Sequence, residues 1–157
     1  MARLAAMLRA LDRKRTPPHV TPVVRATVEA VADALPRPKA AVLRALLDPR
    51  THGAALRLMG DQGRQLEAAL RNTVNATIVR GGSALNVLPS EIEVEIDGRL
   101  LPGFGPDDLL GELRDIIGAD IEHEVLRHDE GPADADMSFF DSLAEVMREL
   151  DPDGIPI

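Results

Sequence analysis

Over residues 91–100 apolar and polar side chains alternate without a fault. Ile92, Val94, Ile96, Gly98 and Leu100 fall on one side, with Glu91, Glu93, Glu95, Asp97 and Arg99 on the other. Period-two alternation of this length predicts a half-buried strand, its apolar face on a core and its polar face in solvent or a cleft. Upstream, Val74, Ala76 and Ile78 alternate with Thr73, Asn75 and Thr77. That second run predicts a partner strand, joined to the first through a long loop as an antiparallel hairpin.

Elsewhere the apolar spacing is helical. Leu4, Met7, Leu8 and Leu11 predict a first helix of about three turns. It ends before Thr16-Pro17-Pro18, because proline lacks the N–H a helix interior needs. Thr21 followed by Pro22 is a capping residue with proline at the first helical position, so a second helix runs from there to Leu35. Pro36 and Pro38 end it and open a third, through Leu47. Asp48-Pro49 breaks the chain again, and two shorter helical segments fill the span to Leu70. After the hairpin, Pro106 with Asp107 and Asp108 opens a helix whose acids meet the positive end of its dipole. Leu109, Leu113, Ile116 and Ile117 form its apolar side and Gly118 ends it. Residues 121–126 read as a last strand. Gly131-Pro132 marks a linker or hinge, and Ser138 with Asp141 predicts a capping box for a helix carrying Phe139, Phe140, Leu143, Val146, Met147 and Leu150. Ile-Pro-Ile at 155–157 reads as the opening of a strand that is cut off.

Composition narrows the class. A chain of 157 residues, 45% hydrophobic and 28% charged, is ordinary globular protein of about one domain. Phe104, Phe139 and Phe140 are its only aromatics, so the core is aliphatic. Without cysteine there is no disulfide and no thiolate metal site. No apolar run reaches the roughly 20 residues of a membrane span, and no signal-peptide core follows Met1. A cytoplasmic location and no membrane partner are the expectation. The net charge of −8 is unevenly spread: residues 1–80 carry 14 Lys+Arg against 6 Asp+Glu, and residues 81–157 carry 4 against 20. The cations of the first half stand singly along amphipathic helices, which describes a solvated face. The acidic half excludes phosphate binding there, and strands without aromatics offer no stacking platform for RNA.

Three pieces in fixed order carry a resemblance. They are Asn72-Thr73-Val74-Asn75-Ala76-Thr77, a Gly82–Pro89 loop containing Asn86, and Asp97-Gly98-Arg99-Leu100-Leu101-Pro102. Together they resemble the lid, or dimerisation, domain of the zinc-dependent amidohydrolases and exopeptidases that include acetylornithine deacetylase, succinyl-diaminopimelate desuccinylase, aminoacylase and carboxypeptidase G. The resemblance implies an α+β fold: a two-layer, ferredoxin-like lid with an antiparallel sheet whose first strand is missing, plus an N-terminal helical insertion. Residues 1–131 would be the lid, with 1–71 its helical part and 72–131 its β-β-α-β part. Residues 132–157 would begin the return into a catalytic domain, making the chain an excised piece. In a β-α-β-β-α-β unit the missing strand is central, so the sheet is expected to repack or to borrow a strand.

Read as residues alone, Arg99 offsets Asp97 and Asn86 is a turn residue. The resemblance assigns both to substrate. An arginine fork grips a carboxylate through two hydrogen bonds, and an asparagine amide can donate to a carboxylate or a scissile carbonyl. The implied substrates are N-acyl amino acids or small peptides, recognised across a homodimer or a cleft. The implied cofactors are two zinc (or cobalt) ions of the complete enzyme. Their ligands would lie outside this stretch, since no His-x-Asp and no adjacent Glu-Glu occurs in it. The chain alone is therefore expected to hold no catalytic residue, no metal and no activity. His19 and His52 read as structural or simply exposed. His123 and His128 fail the His-Glu-x-x-His signature and, five apart on a strand, would face opposite ways. The competing function is a free-standing α/β module for oligomerisation or small-ligand binding, with no catalysis.

Overall fold

The computed structural model describes residues 1–133, 136–154 and 156. The strand read at 155–157 rests on Ile155 and Ile157, which lie outside the described residues. Along the chain come α1 (Ala2–Arg13), α2 (Pro22–Asp33), α3 (Arg37–Arg44) with a 3-10 turn at Ala45–Leu47, α4 (His52–Met59) and α5 (Asp61–Glu67). Then follow β1 (Thr73–Arg80), β2 (Glu93–Arg99), α6 (Pro106–Ile117) and α7 (Phe140–Leu150). The fold is α+β. It divides into two compact units, one of residues 1–17 and 71–130, the other of residues 18–70 and 131–157. The helical stretch before the hairpin is thus shared out: α1 belongs with the sheet, and α2 to α5 belong together.

In the first unit β1 and β2 pair antiparallel, from Thr73 opposite Arg99 to Arg80 opposite Glu93. Paired residues share a face. Val74, Gly98, Ala76 and Ile96 therefore make one apolar face, and Val74 and Ile96 pack on Leu11 of α1 and on Leu113 and Ile116 of α6. Gly98 is where α6 comes closest: a Cβ there would lie 2.5 Å from the Cδ2 of Leu109. Lys14 and Arg3 donate to the carbonyls of Ile116 and Asp120, positive groups at the negative end of α6.

Two expectations for this unit are corrected. Residues 121–126 form no strand. Backbone groups of an extended segment need a ladder partner or water; among the described residues no strand pairs with this one, and it stays exposed coil. Among the described residues the sheet is a two-stranded hairpin. The alternation of β1 also fails halfway. A register shift between Ala76 and Ile78 leaves Thr77 as an extra residue, so Ile78 sits opposite Glu95 and Val79 opposite Val94. Ile78 is turned onto the polar face, and Val79 takes the apolar position.

The second unit is built on aliphatic contacts. Val28, Ala32, Ala40, Leu43, Leu46, Ala55 and Leu70 are buried together. Leu46 and Leu70 keep 1% and 2% of their surface, each burial contributing on the order of 2 kcal/mol. Thr21 caps α2, its Oγ1 accepting from Val24 N–H at 3.3 Å. His19 N–H donates to the Leu70 carbonyl at 2.7 Å, closing the two ends of the helical excursion. His52 is buried, with Nδ1 3.3 Å from the Leu46 carbonyl oxygen, a structural role. Gly60 turns between α4 and α5 at φ +58°, and Gly63 brings α5 against the backbone of Leu56. The Ser138–Asp141 capping box does not form: α7 starts after Phe139 with no side-chain cap. Asp136 takes the Ser138 N–H instead, at 2.9 Å, an Asx turn ahead of the helix. These bonds from Ser138 hold the Asp136 carboxyl below its ordinary value.

Candidate functional site

The polar face of the hairpin carries the charge. Thr73, Arg99, Asn75, Asp97, Ile78, Glu95, Arg80 and Glu93 share it, as the register requires. Arg99 lies in the last rung, its Nε 3.3 Å from Asp97 Oδ2 and its side chain 80% exposed. An exposed ion pair of this kind contributes about 0–1 kcal/mol. The guanidinium is therefore held loosely enough to exchange Asp97 for another carboxylate.

The sequence shows Arg99 as the one cation of β2, but not of the face. The extra residue at Thr77 swings Arg80 onto the same side, where it pairs with Glu95. This hydrogen bond and the charge of Glu95 raise the Arg80 pKa. Thr77 Oγ1 donates to the Glu95 carbonyl at 3.3 Å, fixing the bulge. Nothing in strict alternation announces a bulge, so Arg80 could not be placed from sequence.

At the Arg99 end the chain leaves the sheet through a tight turn. Leu101-Pro102-Gly103-Phe104 closes with a 3.1 Å bond from Phe104 N–H to the Leu101 carbonyl, Gly103 standing at φ +85°. Proline second and a left-handed glycine third are what a type II turn demands. Gly105 N–H then donates to Asp108 Oδ2 at 2.8 Å, starting α6. Asn72, one residue before β1, is 1% exposed. Its Oδ1 accepts from Leu101 N–H at 2.9 Å, and its Nδ2 donates to Glu112 of α6 at 3.1 Å. Its backbone carbonyl accepts from the Thr16 hydroxyl. The sequence shows Asn72 only as the start of a threonine-rich strand; its hydrogen bonding is a tertiary fact.

Asn86 lies in the loop at the other end of the hairpin. The loop runs from Gly81 to Ile92, and Gly82 takes φ +77° with Pro89 about 4 Å from where its Cβ would stand. Asn86 is exposed, and Leu85, Val87 and Leu88 around it are 105%, 66% and 82% exposed. Three large apolar side chains at a loop tip have no packing partner there. Six residue steps of β2 separate this end from Arg99, roughly 20 Å. The structure does not bring Asn86 and Arg99 together within one chain.

His123 and His128 sit in the exposed coil after α6, His123 Nε2 being 3.2 Å from Arg114 Nη2. Among the described residues no group of three or more His, Asp or Glu side chains could hold a metal ion. No helix among them is long and apolar enough to cross a membrane.

A long-looped hairpin with helices on one face and an exposed, charged other face defines an α+β module. Residues 1–124 match the family model of the peptidase dimerisation domain, and the chain belongs to that family. This is the lid, or dimerisation, domain of metallopeptidases that the sequence motifs resemble. No curated protein and no solved structure matches the chain.

Proposed function

We propose that this chain is the substrate-recognition and dimerisation lid of a zinc-dependent hydrolase that cleaves amide or peptide bonds of N-acyl amino acids or small peptides. The family membership supports a dimer-forming module of a peptidase. The observation that carries the substrate reading is the exposed, weakly paired guanidinium of Arg99 at the open end of an otherwise acidic strand. Such a group receives a substrate carboxylate by displacing Asp97, gaining a bidentate, charge-assisted pair. Asn86 makes a separate contact, because one small molecule cannot span the length of β2. In a homodimer the loop of one copy and the strand end of the other serve the same bound substrate, the arrangement that joins two residues the single chain holds apart.

The two metal ions would be held by residues of the catalytic domain, and they supply an activated water when bound. The reading frame containing this chain is expected to encode a His-x-Asp motif before it and an acidic or histidine ligand after it. The expressed product, loaded with zinc, is expected to hydrolyse N-acetyl amino acids. Flanks without those ligands, or no turnover across such a panel, would sink the enzyme reading. Sedimentation equilibrium tests the assembly: the protein is expected at twice the monomer mass, and a monomer at micromolar concentration would refute the dimer.

A further inference from the structure

The buried Asn72 amide stands at the point where β2 stops being a strand. Thr73 and Arg99 form the last rung. One position further, an ordinary ladder would continue backbone to backbone, but the chain after Arg99 turns away through Leu101-Pro102-Gly103-Phe104. The Asn72 side chain supplies the missing rung: its Oδ1 receives Leu101 N–H at 2.9 Å, and its Nδ2 is anchored on both carboxylate oxygens of Glu112 at 3.1 and 3.3 Å. Both ends of this amide are engaged, so its plane is fixed. Its carbonyl is tied to Thr16, whose own carbonyl receives Arg71. The residue therefore fastens β1, α6 and the segment two residues past Arg99 to one another. It does so at 1% exposure, where unmade bonds are costly.

Among the described residues the one side-chain partner of Arg99 is Asp97, two positions back on the same exposed strand end. What is fixed is where this side chain starts, on a backbone path set by the Thr73 rung on one side and the Asn72–Leu101 bond on the other. We infer that Asn72 is a positioning residue for substrate recognition: through Leu101 it aims Arg99 at the substrate carboxylate. The inference rests on the proposed role of Arg99 and extends it to a residue that touches no substrate.

The test uses the complete hydrolase, with the N-acetyl-L-amino acid it cleaves fastest from the proteinogenic set and with the matching carboxamide, which lacks the charge. Asn72→Ala is expected to raise KM for the carboxylate roughly tenfold, the scale of a small misplacement. It should leave kcat and the carboxamide kinetics within about twofold. Leu101→Pro removes the same hydrogen bond from its donor side without opening the buried site. It should give the same selective change, and it decides the matter alone if Asn72→Ala does not fold. Adding Asn72→Ala to Arg99→Ala should cost nothing further, since there is then no guanidinium to aim. If Arg99→Ala itself leaves the carboxylate KM unchanged, the substrate reading falls and this inference falls with it. If Arg99→Ala is selective but the Asn72 and Leu101 variants harm both substrates equally, or neither, Asn72 is only a fold clamp and the inference is overturned.

Discussion

Arg99→Ala in the complete hydrolase is expected to lower kcat/KM for carboxylate-bearing substrates roughly 100-fold while leaving the bound metal unchanged. The magnitude follows from the chemistry of the pair. A bidentate, charge-assisted contact contributes about 1.5–3 kcal/mol, and 2.7 kcal/mol corresponds to about 100-fold. The native partner costs little to displace, because Asp97 and Arg99 are both solvent-facing and 3.3 Å apart. Arg99→Lys is expected to recover only part of the loss: an ammonium keeps the charge but not the planar fork. Steady-state kinetics with metal analysis on the same preparations reads both. Unchanged kinetics in Arg99→Ala would remove the carboxylate grip from the account.

Gly63→Ala is expected to destabilise the helical unit by about 3 kcal/mol, at the upper end of what overpacking costs. Helix propensity argues the other way, since alanine in a helix interior is favoured over glycine by about 1 kcal/mol. Packing decides it. A Cβ at Gly63 would lie 2.3 Å from the Leu56 carbonyl oxygen and 3.0 Å from its carbonyl carbon, and backbone cannot step aside as a side-chain tip can. Gly111, in the middle of α6, has nothing within 4 Å of where its Cβ would be. There the propensity is unopposed, and Gly111→Ala is expected to stabilise by up to about 1 kcal/mol. Urea titrations of the two variants should move the midpoint in opposite directions; a stabilised Gly63→Ala would show that α4 and α5 can separate at no cost.

Much of the fold was legible because its signals are local. Proline at 22 and 106, a threonine at 21 and glycine at 118 mark helix ends through the chain's own covalent limits, and the helices begin and end there. The strand read over residues 91–100 is β2 because its alternation matches a surface with a covered side. What escaped depends on neighbours. The segment 121–126 has a strand's pattern, but pairing needs a second chain segment, and among the described residues none pairs with it. The bulge at Thr77 is set by register against β2, which no single strand announces. The Ser138–Asp141 box lost to Asp136, a competitor two residues upstream for the same N–H. Of the candidate site, Arg99 and Asn86 were named from motif order, but their separation required knowing which end of the hairpin each occupies. Asn72 was passed over because its partners, Leu101 and Glu112, are 29 and 40 positions away.

Thr77 makes β1 a strand of two halves with opposite rules of tolerance. Before it, even positions lie on the apolar face; after it, odd ones do. Excising that single amino acid would close the bulge into a regular ladder, with Ile78 still opposite Glu95 and Arg80 still opposite Glu93 on the polar side. The greasy side would then run unbroken through Val74, Ala76 and Val79, and the acidic surface would keep both its cations, so the surplus letter costs the sheet its regularity and none of its charge.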